Sequence, residues 1–248
     1  MTGEPLAVVV VAGRGLALAW READGTVRRA HVATPDPASA IAQIEELGPR
    51  WVWWSARGTA TALVAAGVRP RACWDIGAVA RLLHGLTRDD AGAAWAAAHG
   101  LDEPPLAEGE LTLLDLSGED GDVVRADGQL SREWLRGAWA ADLDAAAQWA
   151  ALLLETQALQ EAGVRALPDR RQTPAGASPL PYLTALSESM AALLAVELEH
   201  DGLPVDRSVL YGLLTATVGP RPATEAEEVA ARRARDSVVW YLFPGDPV

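Results

Sequence analysis

The sequence predicts an α/β fold, with a mixed sheet and flanking helices, followed by an α-helical segment. Three short apolar stretches separated by glycine-containing turns open the chain, and the Asp24-Gly25 pair in the second turn favours a hairpin. Two further short apolar stretches then alternate with segments of helical periodicity. An antiparallel meander that is followed by alternating helices and strands is typical of a mixed sheet.

Each element of this first region follows from a local pattern. The predicted strands cover residues 6–12, 16–21, 26–32, 51–54 and 70–74. The predicted helices cover residues 37–47, 58–67, 76–84 and 89–99. Gly67 ends the second of these helices, and Asp75 is placed to cap the third. Because Trp51, Trp53 and Trp54 place aromatic rings on both faces of their strand, that strand is predicted to be buried and central.

In the next region, loops separate longer helices. Residues 101–130 are acidic and rich in proline and glycine, which predicts a mobile insert. Helices are predicted over residues 131–139 and 144–162, the second of them ending at Gly163, and residues 167–181 have the composition of a linker. The predicted divisions of the chain are residues 1–166, 167–181 and 182–248.

The helical segment contains clear capping signals. Ser187 can cap a first helix, which the Asp201-Gly202 pair then ends. Asp206 can cap the next helix, so that the two helices form a hairpin. Thr224 and Glu227 have the spacing of a capping box and predict the start of a third helix.

Composition excludes several classes of chemistry. The 248 residues contain no lysine and no asparagine, and the net charge is −13. Schiff-base formation and a phosphate-binding P-loop both require lysine and are therefore excluded, while the negative charge disfavours long-range attraction to DNA. The single cysteine, Cys73, excludes an internal disulfide and a zinc site built from cysteines. The histidines show no metal-ligand spacing, and they are His31, His84, His99 and His200.

The sequence also bears on the compartment. It has no run of eighteen apolar residues, which predicts that no segment spans a membrane, and its first apolar stretch lacks a basic leader. A cytoplasmic location is therefore expected. Heavy use of Ala, Gly, Arg, Val and Leu is typical of a GC-rich genome, as in actinobacteria.

Residues 197–206, ELEHDGLPVD, carry a narrower resemblance. They resemble a step in family A DNA polymerases, where a helix ends in an acidic residue, polar residues and glycine before a hydrophobic-x-hydrophobic-Asp sequence. In that family the step joins a 3′–5′ exonuclease-like domain to the polymerase thumb. Residues 51–83 resemble a segment of the same exonuclease domain. The resemblance implies a ribonuclease H-like fold for residues 1–166 and the start of a thumb for residues 182–248.

Catalysis in the resembled domain depends on carboxylates that hold two metal ions. The family's Asp-x-Glu pair is missing from the first strand, since no acid lies between Leu6 and Trp20, and Glu22 and Asp24 flank a turn instead. In the register of the second motif, Thr59 occupies the position of a metal-binding Asp. In the third motif, Trp149 occupies the equivalent position.

Two acids near the third motif, Asp142 and Asp144, are the possible relocated ligands. Even with them, the resemblance implies a degenerate exonuclease domain that has no catalytic, cofactor-binding or metal-binding residues. Mg²⁺ is expected for the full-length polymerase and not for this chain.

The expected function is that of the non-catalytic, exonuclease-like N-terminal part of a family A DNA polymerase, serving as a platform beside the thumb. DNA is the expected partner through the full-length polymerase, in replication or repair synthesis. This chain alone is expected to be a monomer with weak or no DNA binding, nucleoid-associated when attached to the polymerase. One alternative is an active metal-dependent 3′–5′ exonuclease with relocated ligands, drawn from Asp75, Asp142, Asp144 and Glu155. The other is a protein-interaction scaffold that binds through its tryptophans and helical hairpin.

Overall fold

A computed structural model describes residues 3–106, 122–171 and 176–242. Backbone contacts divide the chain into two compact units, Met1–Gly202 and Leu203–Val248. They are called the first and second units below. The helix that carries the start of the predicted 182–248 segment belongs to the first unit, because it packs on helices and a strand of that unit.

The described part of the first unit contains a five-stranded mixed sheet, as the sequence predicts. Its strands are β1 (Pro5–Val11), β2 (Gly15–Arg21), β3 (Val27–Ala33), β4 (Arg50–Trp53) and β5 (Cys73–Asp75). The order across the sheet is β3-β2-β1-β4-β5. The first three strands form an antiparallel meander, and β4 and β5 extend it with parallel pairings from β1 outwards.

Four helices accompany the strands at the predicted places. They are α1 (Pro37–Glu45), α2 (Ala56–Ala65), α3 (Ile76–His84) and α4 (Ala91–His99). At each N-terminus a side-chain oxygen accepts a hydrogen bond from a backbone N–H three residues ahead, which satisfies one of the unpaired donors of the first turn. The capping residues are Asp36, Ser55, Asp75 and Asp90.

The later helices of the first unit are α5 (Arg132–Leu135), α6 (Leu143–Ala166) and α7 (Leu180–Asp201). The helix predicted over 131–139 is shorter, because Gly137 adopts a positive φ of 107° and breaks it. The α6 helix continues through Gly163, where a Cβ would lie 3.0 Å from the Leu83 side chain, so the glycine permits close packing. The α7 helix begins at Leu180, so Ser187 is an interior residue and not the predicted cap.

Two apolar clusters lie on the two faces of the sheet. One is formed with α3, α4 and α6 and includes Val9, Trp74 and Leu153. The other is formed with α1, α2 and α7 and includes Val8 and Trp51. The strand β4 is buried on both faces, as its aromatic sequence predicts. The outer strand β3 is largely exposed, whereas α7 packs along β5.

Parts of two predicted loops lie outside the described residues, namely 107–121 of the insert and 172–175 of the linker. The described end of the insert contains a bridge between Val124 and Leu130. Val123 and Leu130 are buried in the cluster beneath α6, which anchors this end of the insert to the core.

The second unit contains α8 (Arg207–Val218) and α9 (Glu225–Leu242). Asp206 caps α8 as predicted, since its Oδ1 accepts hydrogen bonds from the backbone N–H groups of Ser208 and Val209. Thr224 accepts from the Glu227 N–H at 3.3 Å, and Glu227 accepts in turn from the N–H of Ala223. Within the described ranges, no helix combines the length and the hydropathy that a membrane-spanning segment requires.

Candidate functional site

An open cleft of about 560 Å³ lies between β3 and the N-terminal end of α6. Both acids that the sequence offered as relocated ligands line this cleft, together with basic side chains of β3 and one indole of α5. The lining includes Arg29, His31, Trp134, Asp142, Asp144 and Gln148. This cleft is therefore the candidate functional site.

The two acids of the cleft are already engaged. Asp142 is the N-cap of α6, and its Oδ1 accepts a hydrogen bond from the Ala145 N–H at 2.7 Å. Asp144, with 92% of its side chain exposed, lies 3.3 Å from Nδ1 of His31. An exposed pair of this kind is weak, because water screens both groups. The cleft therefore has mixed charge and a solvated acid, with one carboxylate committed to the helix end.

The structure does not bring Asp75 to the cleft. Its Oδ2 accepts a hydrogen bond from the Ala56 N–H at 2.6 Å, and its Oδ1 accepts from the Ala78 N–H at 2.8 Å. One buried carboxylate thus caps α3 and also accepts a hydrogen bond from the first residue of α2. Burial raises the pKa of Asp75, although the two amide hydrogen bonds oppose part of that rise. The predicted role of Asp75 as the cap of α3 is confirmed. Its hydrogen bond with Ala56 of α2 was not predicted from the sequence.

Glu155, the fourth acid of the alternative ligand set, also lies elsewhere. Its Oε1 is 3.2 Å from Nε2 of His99, whose ring stacks on Trp95 with 3.7 Å between ring centroids. The other ring nitrogen of His99 lies 2.9 Å from the Trp95 carbonyl oxygen. Of these contacts, the one between His99 and Glu155 joins α4 to α6. Within the described ranges, no group of three or more His, Cys, Asp or Glu side chains is arranged to hold a metal ion.

The two acids beside the β2–β3 hairpin turn, Glu22 and Asp24, already have partners close to them in the sequence. Glu22 pairs with Arg28 at 3.1 Å. Asp24 accepts a hydrogen bond from the Thr26 N–H, and hydrogen bonding to Thr26 lowers the pKa of Asp24. The hairpin turn that the sequence predicts here accounts for both side chains.

The position that the family resemblance assigns to a metal-binding Asp on α2 is Thr59. Thr59 is half-buried, and its backbone N–H donates to the Ser55 carbonyl at 3.1 Å, as in an ordinary first turn. On the α6 side of the sheet, β1 presents Ala7, Val9 and Val11, which are all buried. This face of β1 is therefore entirely apolar, and the strand contains no Asp-x-Glu pair.

Three indoles occupy the space beside that strand face, and we call them the tryptophan cluster: Trp54, Trp134 and Trp149. The Trp149 ring lies 5.3 Å from that of Trp54 and 6.0 Å from that of Trp134, measured between centroids. Trp149 is only 3% exposed and belongs to the same apolar cluster as Val9. Tilted aromatic pairs at these distances are favourable beyond the burial of their surface. The region is thus a packed aromatic core.

Sequence reasoning missed the tryptophan cluster, although it placed Trp149 at an acid's position. It also missed a buried amide. Gln160 is fully buried, accepts a hydrogen bond from the Trp74 indole at 2.9 Å and donates to the Ile76 carbonyl at 2.9 Å. The only available signal was a glutamine on the apolar side of a long helix. Its partners lie far away in the sequence, so the pairing could not be deduced.

Comparison with known proteins leaves the chain without a match. No protein-family model, no curated protein and no solved structure matches it.

Proposed function

We propose that the first unit is a ribonuclease H-like domain of the 3′–5′ exonuclease type that has lost catalysis. In this proposal the chain is the N-terminal part of a family A DNA polymerase. The main support is the sheet: an antiparallel meander of three strands whose first strand is extended in parallel by two further strands. The proposal expects a sheet of this kind in a ribonuclease H-like domain. The step at residues 197–206, where α7 ends at Gly202 and Asp206 caps α8, supports the polymerase resemblance.

The loss of catalysis rests on the tryptophan cluster. A two-metal site needs several carboxylates that converge on the ions, because oxygen ligands must replace the water of hydration. At the corresponding places this chain has an apolar first strand, Thr59 and Trp149, none of which offers a carboxylate. Val9 of that strand and Trp149 are both buried among apolar side chains. These residues do not fit a pair of magnesium ions.

The remaining role is structural. The first unit has a core that is packed on both faces of the sheet, and α7 is followed in the chain by the helices of the second unit. A domain of this kind can hold a thumb in place beside the duplex during synthesis in the cytoplasm, near the nucleoid. With a net charge of −13, the chain is expected to bind DNA weakly or not at all on its own.

A nuclease assay tests the loss of catalysis directly. Single-stranded DNA labelled at its 3′ end is incubated with the chain in Mg²⁺ or Mn²⁺, beside Asp144→Asn as a matched variant. We expect no metal-dependent release of nucleotides from either protein. Release by the wild type that disappears in Asp144→Asn would overturn the proposal and support an exonuclease whose ligands lie in the cleft.

An immunoblot tests the polymerase assignment separately. An antibody raised against the first unit is used on a lysate of the source organism. We expect a band far above the mass of a 248-residue chain, because the polymerase part would be attached. A band at the mass of this chain alone would contradict that assignment while leaving the result of the nuclease assay valid.

A further inference from the structure

The start of α7 is not set by its neighbours in the sequence. The residue before Leu180 is Pro179, whose side chain has no acceptor for the unpaired N–H groups of a first turn. Asp169 supplies that acceptor from eleven residues earlier, since its Oδ2 accepts a hydrogen bond from the Leu180 N–H at 2.7 Å. An aspartate in this place caps the helix and also puts a negative charge at the positive end of the helix dipole.

Asp169 is itself held by Arg171. The Arg171 guanidinium donates to both carboxylate oxygens, at 3.1 Å from Nε to Oδ1 and at 2.8 Å from Nη2 to Oδ2. The Arg171 backbone N–H donates to Oδ1 at 2.9 Å, and Nη2 also donates to the Ser178 carbonyl at 3.3 Å. Hydrogen bonds from Arg171 and from the Leu180 N–H lower the pKa of Asp169, which keeps the cap ionised. We call Asp169, Arg171, Ser178 and Leu180 the α7 clasp.

A second start point lies inside the same helix, seven residues further along. Ser187 followed by Glu188 is a local capping signal, which is why the sequence alone predicts a helix that begins there. In the structure Ser187 is an exposed interior residue of α7, so this signal is not used. With residues 180–186 unwound, the Ser187 hydroxyl would be placed to accept a hydrogen bond from the Met190 N–H, three residues ahead. The chain therefore has one cap for a longer α7 and another for a shorter α7.

The first two turns of α7 are fixed through Tyr182. Its hydroxyl accepts a hydrogen bond from Arg50 at 2.9 Å, and the Arg165 guanidinium lies 3.7 Å from the centroid of its ring. The Tyr182 ring also lies 6.0 Å from that of Trp74, and Ala185 is fully buried one turn later. These turns therefore cover part of the core on the side of the sheet that contains Trp74.

The later turns of α7 are fixed on β5. The Ser189 hydroxyl accepts a hydrogen bond from the Asp75 N–H at 3.0 Å, and the Ser189 carbonyl accepts from the Cys73 thiol at 3.2 Å. Leu193 and Val196 are buried in the apolar cluster that contains Trp51, on the other face of the sheet. Because none of these partners lies in residues 180–186, this anchorage does not depend on the first two turns.

We propose that α7 is a two-state helix, in which the α7 clasp selects the start at Leu180 over the start at Ser187. Release of the clasp unwinds residues 180–186 as a unit, frees Tyr182 from both arginines and separates it from Trp74. Residues from Ser189 onwards stay on β5 in both states. The opening is independent of the function proposed for the first unit, because it involves neither the tryptophan cluster nor the cleft.

Hydrogen exchange of the whole chain, resolved by residue with NMR, tests the two starts. Unwinding breaks the hydrogen bonds of the amides of residues 183–189, so these amides should exchange at least about 10-fold faster than those of residues 193–199. Asp169→Ala removes the cap and should speed exchange of residues 183–189 by a further factor of about 5 to 10, with residues 193–199 unchanged. Arg170→Ala alters an exposed side chain outside the clasp and should change neither set. Equal exchange of the two sets in wild type and in Asp169→Ala would overturn the proposal.

Substitution of Ser187 distinguishes a second start from simple fraying of the helix end. Ser187→Ala removes the cap of the shorter helix and favours the helix interior in the longer one, so exchange of residues 183–189 should become about 5- to 10-fold slower. Ser187→Asp keeps a capping side chain and should not slow exchange. Fraying instead gives protection that rises steadily from residue 183 to residue 189, with little response to Ser187→Ala. That graded result would contradict the two-state helix.

Arg171→Ala provides a milder change, which leaves the carboxylate and its hydrogen bond with Leu180 in place. Asp169 then loses the guanidinium that orients it, and we expect exchange of residues 183–189 to become about 2- to 3-fold faster at low salt, with the difference shrinking as salt is added. Unchanged exchange in this variant would contradict the part of the proposal that assigns Arg171 to the clasp.

Discussion

The two helices α6 and α8 are both rich in apolar residues, yet their surroundings are opposite. In α6, ten of twenty-four residues are buried, from Ala146 near its start to Val164 near its end. In α8, none of twelve is buried. Helical periodicity in the sequence predicts both helices. It does not predict whether other parts of the chain cover them. Burial is decided by the rest of the structure, and α6 has a sheet beneath it.

The difference extends to polar groups. Within α6, Gln160 is held at both ends of its amide, by the Trp74 indole and the Ile76 carbonyl. Such a buried amide is stable only when its partners are in place, because an unpaired polar group away from water costs about 1–3 kcal/mol. The polar side chains of α8 meet no such demand, since they face solvent. The first unit should therefore respond sharply to substitution, and α8 weakly.

The largest contrast is expected in the reactivity of a thiol. Burial raises the pKa of Cys73, and its Sγ donates to the Ser189 carbonyl of α7 at 3.2 Å. Since only the thiolate attacks a disulfide reagent, Cys73 should react more than about 1,000-fold more slowly in the folded chain than after unfolding. A cysteine introduced on α8 as Thr215→Cys should react at the rate of a free thiol. Stopped-flow measurement with a chromogenic disulfide gives both rates, and fast reaction of native Cys73 would contradict the packing of α7 on β5.

A truncation in the tryptophan cluster should have the next largest effect. Trp149→Ala removes a buried indole between Trp54 and Trp134, and we expect the free energy of unfolding to fall by about 3–5 kcal/mol. Leu214→Ala on α8 is the matched control, with an expected change within about 0.5 kcal/mol. Urea denaturation followed by circular dichroism measures both. Equal effects would mean that the cluster is not a packed core.

Much of the fold could be predicted because the decisive signals are local. The helix α3 has the predicted bounds, Ile76–His84, since an aspartate caps it and Gly85 ends it in the left-handed conformation. The first three strands follow from short apolar stretches and a hairpin turn. The predicted start of α7 at Ser187 is wrong. Contacts with residues that are distant in the sequence extend the helix back to Leu180. Tyr182 is buried there and accepts a hydrogen bond from Arg50 at 2.9 Å.

The candidate site was predictable only in part, for the same reason. Asp142 and Asp144 are neighbours in the sequence and do line one cleft. That His31 of β3 faces Asp144 depends on how α6 crosses the sheet, which no local pattern reveals. The tryptophan cluster likewise brings Trp54 together with Trp134 and Trp149, which lie at least 80 residues after it in the sequence. Local chemistry thus predicts caps and turns, while pairings across the sheet need the assembled core.

The carboxylate of Asp75 should give the stability of the first unit a distinct pH dependence. In Asp75→Asn, one of two buried amide N–H groups loses its acceptor, and we expect a loss of about 1–3 kcal/mol. Burial raises the pKa of the native Asp75 above its ordinary value of 3.8, so its contribution is fully present below pH 3.8 and is lost as the pH rises through the raised pKa. The difference in the free energy of unfolding between wild type and Asp75→Asn should therefore narrow as the pH increases from 3.8 through the raised pKa of Asp75. Urea titrations at a series of pH values measure it, and a widening difference would mean that the folded state prefers the ionised carboxylate.

The smallest expected effects separate the two acids of the cleft. Asp142→Ala removes the cap of α6, and because the Ala145 N–H then loses its acceptor we expect a loss of about 1 kcal/mol. Asp144→Ala removes an exposed partner of His31, and the change should stay within about 0.5 kcal/mol. Thermal and urea unfolding rank the two variants. If Asp144→Ala destabilised the chain more than Asp142→Ala, that result would contradict the assignment of Asp142 as the cap of α6. A metal-induced rise in melting temperature that is lost in both variants would instead identify the pair as ligands, since a cap and a solvated acid share no other reason to respond to a metal ion.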